Sequence, residues 1–487
     1  MGCEKFVPLF LAAHTHTCGC RFRWVFCQLA YLRHCLPGRI QRALDELPQS
    51  LDETYERTLE DIGDQNWEYA HRLFQCVSAA SRPLRVEELA EFLAFDFDVE
   101  SIPEYLEDWR PQNPGRAVLS TCSSLLAIVN VDGSRIIQFT HFSVKEYLTS
   151  TRLSKAKDTL SRFHISMTSA HSIVAQACLG VLLHLDENVT KKGLKKFPLA
   201  QYAAEHWASH ARFENVSSKV QDGMKRLFDP RARYLAIWVW IYDAKNLRLR
   251  SDAPEYPPRP WETPLHYAAY CGIHDVIKFL IVERSQNVNA RGFHDDETPL
   301  GIACQRGHFA VARLLLEHGA NKEIWDKYGW NPLEKASSGG HVAVVRVLLD
   351  HGADVNARDE NKNTSLHAAS SFRQAAVARV LLERGADVNA RNNDNGTPLH
   401  WALGCGYVEC ARVLLEHGAD PDARNAMNET PLHTTSQGGC LKLVRLLLQY
   451  NADVHALDDR GQTPFQKASA YNHYDVMQLL LEHGAKD

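Results

Sequence analysis

The sequence contains no apolar run long enough to cross a membrane as a helix, which takes about 20 residues. Apolar stretches such as Val7–Ala13 and Leu235–Ile241 span only seven residues each. A membrane partner is therefore not expected.

The sequence also lacks a strong charge of either sign. The net charge is −5 over 487 residues. The part from Trp261 onward contains 22 Lys and Arg residues and 28 Asp and Glu residues. The part before it contains 32 basic and 31 acidic residues. Neither part has the basic field that nucleic-acid binding usually needs, so no nucleic-acid partner is predicted. One predicted helix before the repeats contains the acidic residues Glu87, Glu88 and Glu91, which argue against DNA binding by that helix.

Paired cysteine spacings and metal motifs are missing. The thirteen cysteines, an odd number without repeated short spacing, indicate reduced thiols and a cytoplasmic or other intracellular location. Four possible metal ligands alternate near the N-terminus: His14, His16, Cys18 and Cys20. A zinc site also needs a second pair of ligands at a distance, and no such pair follows. His206 and His210 lack the glutamate of an H-E-x-x-H motif. No metal and no cofactor is predicted.

A phosphate-binding loop is absent from the printed sequence. Such a loop needs G-x-x-x-x-G-K-[ST], whose backbone N–H groups and Lys hold the nucleotide. No Gly-Lys-Ser or Gly-Lys-Thr occurs. The chain is therefore predicted not to hydrolyse ATP and not to be an enzyme.

What is present is a repeat. Thr397-Pro398-Leu399-His400 recurs with variations, and its first position returns every 33 residues after one interval of 35, at Thr263, Thr298, Asn331, Thr364, Thr397, Thr430 and Thr463. That period and motif are the signature of ankyrin repeats. We predict seven repeats over residues 261–487, stacked as an α-solenoid with β-turn fingers.

Each repeat has a consistent local chemistry. Thr caps an inner helix, Pro occupies its first position, and a Gly such as Gly406 ends it in the left-handed region. The histidine that follows Pro-Leu is expected to bond locally near the Thr rather than to bind a metal.

Ankyrin stacks bind proteins through finger tips and exposed inner-helix residues. By position, the candidate protein-binding residues are Tyr270, Gln305, Arg306, Tyr328, Trp330, Phe372, Met427 and Tyr471. Tyr328 and Trp330 on one finger are the leading candidates, because aromatic residues are favoured binding hot spots. The alternative is that they pack against the next finger. The irregular repeats one, three and four, rather than the regular fifth, are expected to carry specificity.

The part before the repeats is mainly helical with one β-hairpin. Helices are expected over Trp67–Ser81 and Val86–Leu93, separated by a break at Arg82–Arg85. Leu125–Val131 and Ile136–Phe139 flank Asp132-Gly133, a strong hairpin signal. Helices followed by a hairpin predict a winged-helix-like fold.

The predicted fold class is mostly α. The predicted divisions are an unassigned N-terminus (1–20), a helical segment (21–64), a winged-helix-like domain (65–152), a helical connector (153–246), a Pro-rich linker (247–260) and the repeats (261–487).

Four stretches resemble fungal NACHT–ankyrin proteins, which are signal-transduction ATPases related to NOD-like receptors. They are Arg21–Gln28, Leu47-Pro48, Ser50–Arg57, and Gln138–Leu148 with its sequence QFTHFSVKEYL. The resemblance implies a helical segment and a winged helix that normally follow a nucleotide-binding domain. In NOD-like receptors the histidine at the position of His141 contacts the diphosphate of ADP. The alternative is that His141 only caps its helix.

Two functional hypotheses follow. The first is a non-enzymatic protein–protein interaction protein, the ankyrin scaffold of a NACHT-type signalling protein. The second is a subunit or remnant of a signalling NTPase whose phosphate-binding loop comes from a longer form or another chain.

Overall fold

The computed structural model describes residues 51–98, 102–122, 125–156, 158–186, 188–247, 256–260, 262–293 and 295–486. The chain divides into two compact units between residues 260 and 261. The predicted N-terminus (1–20), the first part of the helical segment (21–50), the histidines and cysteines before Arg21, and most of the Pro-rich linker lie outside the described residues.

The first unit begins with helices around a small antiparallel sheet. Its elements are α1 Leu51–Glu60, α2 Trp67–Ala79, β1 Leu84–Arg85, α3 Val86–Glu91, β2 Phe95–Asp96, β3 Glu104–Tyr105, α4 Pro114–Cys122, β4 Leu126–Val131, β5 Ser134–Phe139, α5 Phe142–Leu148, α6 Thr151–Ser154 and α7 Asp158–Ser161. The main sheet has the order β1-β5-β4. Asp132 and Gly133 both have positive φ, 48° and 78°, as the tight hairpin turn requires. The predicted hairpin is confirmed.

One element of the sheet was not expected. The break between α2 and α3 contains β1, where Leu84 pairs with Ile137 of β5. Two residues are too short to show the alternation of a strand. The third strand therefore forms only because β5 offers it an edge.

Further α-helices follow in the described part of the unit: α8 Met167–His184, α9 Lys191–Leu194, α10 Leu199–Ala211, α11 Gln221–Phe228 and α12 Tyr234–Leu247. Residues on nearly all sides of α8 are buried, including Val174, Cys178 and Leu182. A Cβ at Gly180 would lie 2.8 Å from the ring of Phe95, so glycine lets β2 approach this helix closely.

Two glutamates of α3 are buried in polar networks. Arg82 donates two hydrogen bonds to the Glu88 carboxylate, each 2.8 Å long. Burial favours the neutral acid, but these bonds hold the pKa of Glu88 below its usual range. Glu91 accepts from the hydroxyl of Tyr105 and the backbone N–H of Leu199, and burial raises its pKa to about 7. Both side chains fasten elements of this unit together.

The second unit is a stack of seven helix pairs. The inner helices are Pro264–Cys271, Pro299–Arg306, Pro332–Ser338, Ser365–Ser371, Pro398–Gly404, Pro431–Gln437 and Pro464–Ala470. The outer helices are His274–Lys278, Phe309–Glu317, Val342–Asp350, Ala375–Glu383, Val408–Glu416, Leu441–Gln449 and Tyr474–Glu482. In the first repeat the outer helix continues as a π-helical turn, Phe279–Glu283. This turn lies within the repeat that is two residues longer than the others.

A threonine–histidine pair links consecutive repeats. The Nδ1 atom of His433 accepts from Thr430 N–H (3.1 Å), and its Nε2–H donates to the carbonyl of Gln462 in the next repeat (3.0 Å). His266, His367 and His400 make the same bridge to Glu297, Gly396 and Glu429. The histidines bond near the Thr, as expected, and each also satisfies a carbonyl of its neighbour.

We expect His433→Ala to destabilise the C-terminal repeats by roughly 2–4 kcal/mol, since it leaves buried donors and acceptors without partners. The measurement is hydrogen exchange of the full chain, read by mass spectrometry in repeats five to seven. His455→Ala, which removes an exposed imidazole from the finger of repeat seven, is the matched control. Equal protection in the two variants would contradict the bridging role.

The gap in stability between wild type and His433→Ala should narrow as the pH falls from 7 to 5. Burial lowers the pKa of folded His433, so protonation of the unfolded chain below its ordinary value of about 6.5 draws the wild type toward unfolding. The alanine variant has no such group. Urea unfolding of both proteins at several pH values measures the gap, and a constant gap would contradict a buried neutral imidazole.

Candidate protein-binding surface

The loop before each inner helix forms a finger, numbered by its repeat: finger 3 (321–330), finger 4 (354–363), finger 5 (387–396), finger 6 (420–429) and finger 7 (453–462). Backbone hydrogen bonds join most neighbouring finger tips. The N–H groups of Lys327, Asn393, Ala426 and Asp459 donate to the carbonyls of Asp295, Asn361, Asp394 and Met427, respectively, over 2.8–3.2 Å. The finger tips are therefore held in register by the backbone.

The junction between fingers 3 and 4 lacks this bond in the described part of the chain. Glu360 N–H and Tyr328 C=O occupy the equivalent positions but are not paired with each other. Both backbone groups also have no other hydrogen bond within the described ranges. The ladder of fingers is interrupted at one place.

Two further inter-repeat links change at the same junction. Arg358, Arg391 and Arg424 each donate to a carbonyl of the next finger, whereas Trp325 stands at that position in finger 3. The bridging histidine is replaced in repeat three by Glu334, whose carboxyl accepts from Asn331 N–H of its own repeat and makes no bridge to finger 4 among the described residues. Two side-chain links and one backbone bond are thus missing at this junction among the described residues.

A hollow opens at this junction, and we call it depression 1. It is bounded by residues of finger 3, finger 4 and inner helices 3 to 5, namely Tyr328, Trp330, Glu334, Asp359, Asn361, Asn363, Thr364, His367, Ala368, Ser371, Phe372 and Trp401, and has a volume of about 330 Å³. The rings of Trp330 and Phe372 meet edge to face at 6.2 Å. Trp330 therefore packs on the neighbouring repeat and also borders an open hollow.

A second hollow, depression 2, lies beside it and has a volume of about 580 Å³. It is bounded by inner helices 5 and 6 and fingers 5 and 6, namely by Asn392, Asp394, Gly396, His400, Trp401, Gly404, Cys405, Asn425, Ala426, Met427, Glu429 and Thr434. Trp401 borders both hollows and is 40% exposed. It was not among the sequence-predicted residues.

Trp401 had a signal in the sequence. It stands four residues after the capping Thr397, and the same position holds Ala368 in repeat four and Thr434 in repeat six. Small side chains on both sides of a tryptophan leave a hollow on each flank. Comparing one repeat position across neighbouring repeats would have found it.

The structure brings only some of the predicted residues together. Tyr328, Trp330 and Phe372 border depression 1, and Met427 borders depression 2. Tyr270 is covered by Arg306, whose guanidinium carbon lies 4.0 Å from the ring centre. Gln305 is exposed beside them. Tyr471 accepts a hydrogen bond from Gln437 and stacks on His473.

Depression 1 has an acidic floor. Glu334 is 3% exposed, and its Oε2 atom accepts from Asn331 N–H at 3.1 Å. Burial raises the pKa of Glu334 to about 8, and the charges of Asp359 and Asp326 act in the same direction. Burial lowers the pKa of His367 to about 4, so this imidazole is neutral near pH 7.

His141 has the geometry of a helix cap. Its Nδ1 atom accepts from the backbone N–H of Ser143 at 3.3 Å and lies 2.5 Å from the hydroxyl of the same residue. Tyr55 binds that hydroxyl from α1. A nucleotide-sensing role for His141 remains a hypothesis.

The acidic helix of the first unit presents less charge than its sequence suggests. Glu88 and Glu91 are buried, and Glu87 pairs with Arg135 on β5 at 2.7 Å. Their presence therefore carries little weight against DNA binding.

Within the described residues, no group of three or more His, Cys, Asp or Glu side chains is placed to hold a metal ion. His210 is held instead by Tyr202 and His171, and burial lowers its pKa to about 3. No described helix has the length and hydropathy to span a membrane.

Two known protein families match separate parts of the chain. Residues 265–359, 357–425 and 420–487 match the ankyrin-repeat family in three copies, and residues 56–164 match the family described as the winged helix domain of GPI inositol-deacylase. The chain thus carries C-terminal ankyrin repeats and a winged-helix domain of the GPI inositol-deacylase type. The predicted fold class is confirmed.

Individual relatives match only part of the chain, at 31% and 26% sequence identity. The chain is 31% identical over 298 residues to azaphilone pigments biosynthesis cluster protein L of Monascus ruber, covering 57% of this chain and 61% of that protein. It is 26% identical over 231 residues to vegetative incompatibility protein HET-E-1 of Podospora anserina, covering 42% of this chain and 16% of that protein. The chain spans less than two thirds of either relative. The crystal structure of the human ASB11 ankyrin repeat domain matches at 30% identity with a TM-score of 0.42, covering 46% of this chain and 100% of that chain.

The interrupted ladder predicts a difference in amide exchange. The N–H of Glu360 should exchange roughly five to ten times faster than those of Asn393, Ala426 and Asp459, because it lacks the backbone bond that they make. Hydrogen exchange with residue-level fragmentation measures all four in one experiment. Equal protection would show that fingers 3 and 4 pair in solution.

Proposed function

We propose that this protein is a non-enzymatic interaction protein whose ankyrin repeats bind a protein partner across depressions 1 and 2. The observation that carries the proposal is a row of partly exposed aromatic rings, Trp330, Phe372 and Trp401, set around adjoining hollows on packed helices and fingers. Hot spots of protein interfaces are enriched in Trp and Tyr that fill or border such pockets.

The supporting elements are rigid enough for recognition. Phe372 and Trp401 lie on or next to inner helices, and the backbone N–H of Trp330 donates to the carboxylate of Asp326 (2.9 Å). Side chains on packed elements lose little conformational freedom on binding. The surface extends over repeats three to six, so the expected specificity region includes the fifth repeat through Trp401.

A signalling context is part of the proposal. The similarity to a vegetative incompatibility protein over 231 residues and the resemblance to NACHT–ankyrin proteins support a regulatory role. The winged-helix domain would then be a regulatory element beside the ankyrin scaffold. The small net charge supports a protein partner rather than a nucleic acid.

The NTPase alternative gains no support from the site. The Nδ1 atom of His141 is already engaged by Ser143.

We expect Tyr328→Ala combined with Trp330→Ala to weaken partner binding by roughly 30-fold or more, since each truncation removes a candidate hot spot. Quantitative affinity purification identifies the proteins lost with this variant, and titration of the purified partner gives the affinity. Tyr474→Ala, which truncates a tyrosine that is 70% exposed on the last outer helix, is the control. Partner binding that survives deletion of residues 261–487 would contradict the proposal.

A further inference from the structure

The geometry of depression 1 points to a binding site for a basic side chain. We propose that it receives the ammonium or guanidinium group of a lysine or arginine in an extended segment of the protein partner. The inference rests on the proposed function and specifies the partner's chemistry at this site.

Three of the aromatic rings that border depression 1, Trp330, Phe372 and Trp401, have open faces. Basic side chains do lie over other rings of the described repeats: Arg284 over Phe279, Arg306 over Tyr270, Arg313 over Phe309, and Lys327 at 5.0 Å from Tyr328, the fourth ring of the hollow. In the described part of the chain, no lysine or arginine lies over Trp330, Phe372 or Trp401. Cations bind favourably over aromatic rings, most strongly over tryptophan.

The floor of depression 1 supplies an acceptor without a partner. Glu334 is 3% exposed, and only its Oε2 atom is hydrogen-bonded among the described residues. Its Oε1 atom remains available to a donor that enters the hollow. A bound ammonium or guanidinium would give this acceptor a charge-assisted hydrogen bond.

Charge complementarity selects a basic ligand over a neutral one. Asp359 borders the hollow beside Glu334, and no lysine or arginine is among the described residues that border it. Lys335, the nearest cation on inner helix 3, is already paired with Glu297 and Asp326 at 2.5 and 2.8 Å. A ligand cation would therefore meet the carboxyl groups of Glu334 and Asp359 without a competing lysine or arginine among the described bordering residues.

Two backbone groups at the rim of depression 1 are the reason why we expect the basic side chain to belong to an extended segment. Glu360 N–H and Tyr328 C=O are both without hydrogen bonds in the described ranges and belong to exposed residues. An extended chain can pair with such backbone groups as an added strand does. The volume of about 330 Å³ is near the lower end for ligand pockets, which fits one side chain.

The test uses the full chain labelled with 5-fluorotryptophan and four peptides of sequence acetyl-Ser-Gly-X-Gly-Ser-amide. X is lysine, arginine, or their uncharged counterparts norleucine and citrulline. Fluorine NMR follows the Trp330 and Trp401 signals, assigned from Trp330→Phe and Trp401→Phe. We expect the lysine and arginine peptides to bind roughly ten times more tightly than the neutral ones, as a desolvated cation–aromatic contact allows.

Glu334→Gln keeps the shape and the bond to Asn331 while removing the charge, and should weaken binding of the basic peptides roughly tenfold. Glu360→Gln, which removes an exposed charge from the same rim, should change it by about twofold or less. Circular dichroism checks that both variants are folded.

Affinity for the lysine peptide should also rise between pH 6.5 and 9 and become flat in Glu334→Gln. Burial raises the pKa of Glu334, so much of this carboxyl is neutral in the free protein at pH 7 and becomes ionised as the pH rises. The charged groups that act on it are Asp359 and Asp326. Lys335 is paired with Asp326, and His367 borders the same hollow.

Equal binding of charged and neutral peptides, wild-type affinity in Glu334→Gln, or no shift of either tryptophan signal would each overturn the inference. The proposed function is judged separately, by partner binding in the Tyr328/Trp330 double variant. Loss of the partner in that variant without any preference for basic peptides would leave the interaction role standing and remove only the basic side-chain site.

Discussion

The ankyrin half of this protein depends on stacking, because a single helix pair cannot bury its own apolar face. Leu348, Leu381, Leu414 and Leu447, at equivalent positions of consecutive outer helices, are all fully buried. Burial of this kind is non-directional, so it does not by itself fix how repeats align. The directional part comes from polar bridges, in which a buried histidine joins its own threonine to a carbonyl of the next repeat.

One junction in the stack lacks several of these directional bonds. Between repeats three and four, the histidine bridge, the arginine-to-carbonyl bond and the backbone bond between finger tips are all replaced or missing among the described residues. The arginine and backbone bonds recur at the described junctions from finger 4 to finger 7, whereas the histidine is also absent from repeat two, where Gly301 stands. Such departures are expected where function, rather than stability, has set the residues. The hollow with the buried Glu334 lies at this junction.

In the first unit, the buried charged side chains have a structural role. Glu88 and Glu91 fasten α3 to its neighbours and do not face solvent. Removing one partner of a buried pair is costly, so these residues are integral to the fold. An acidic stretch in a sequence can therefore be part of a core, and its charge does not define the surface potential.

The sequence alone determined the repeat architecture. A fixed period, capping threonines, prolines at the first helical position and glycines at helix ends are local features, and local chemistry predicts helices and turns. The hairpin at Asp132-Gly133 followed from the same reasoning. Most of the aromatic residues around the two hollows could also be named from their position in the repeat.

Only the tertiary structure decided which of those residues act together. Trp401 borders both hollows because small side chains flank it in the neighbouring repeats, a relation across 33 residues that no local window contains. The strand at Leu84 forms only where β5 offers it an edge. Glu334 is a buried acid with a raised pKa because repeat stacking encloses it, and burial is a property of the fold rather than of residue type.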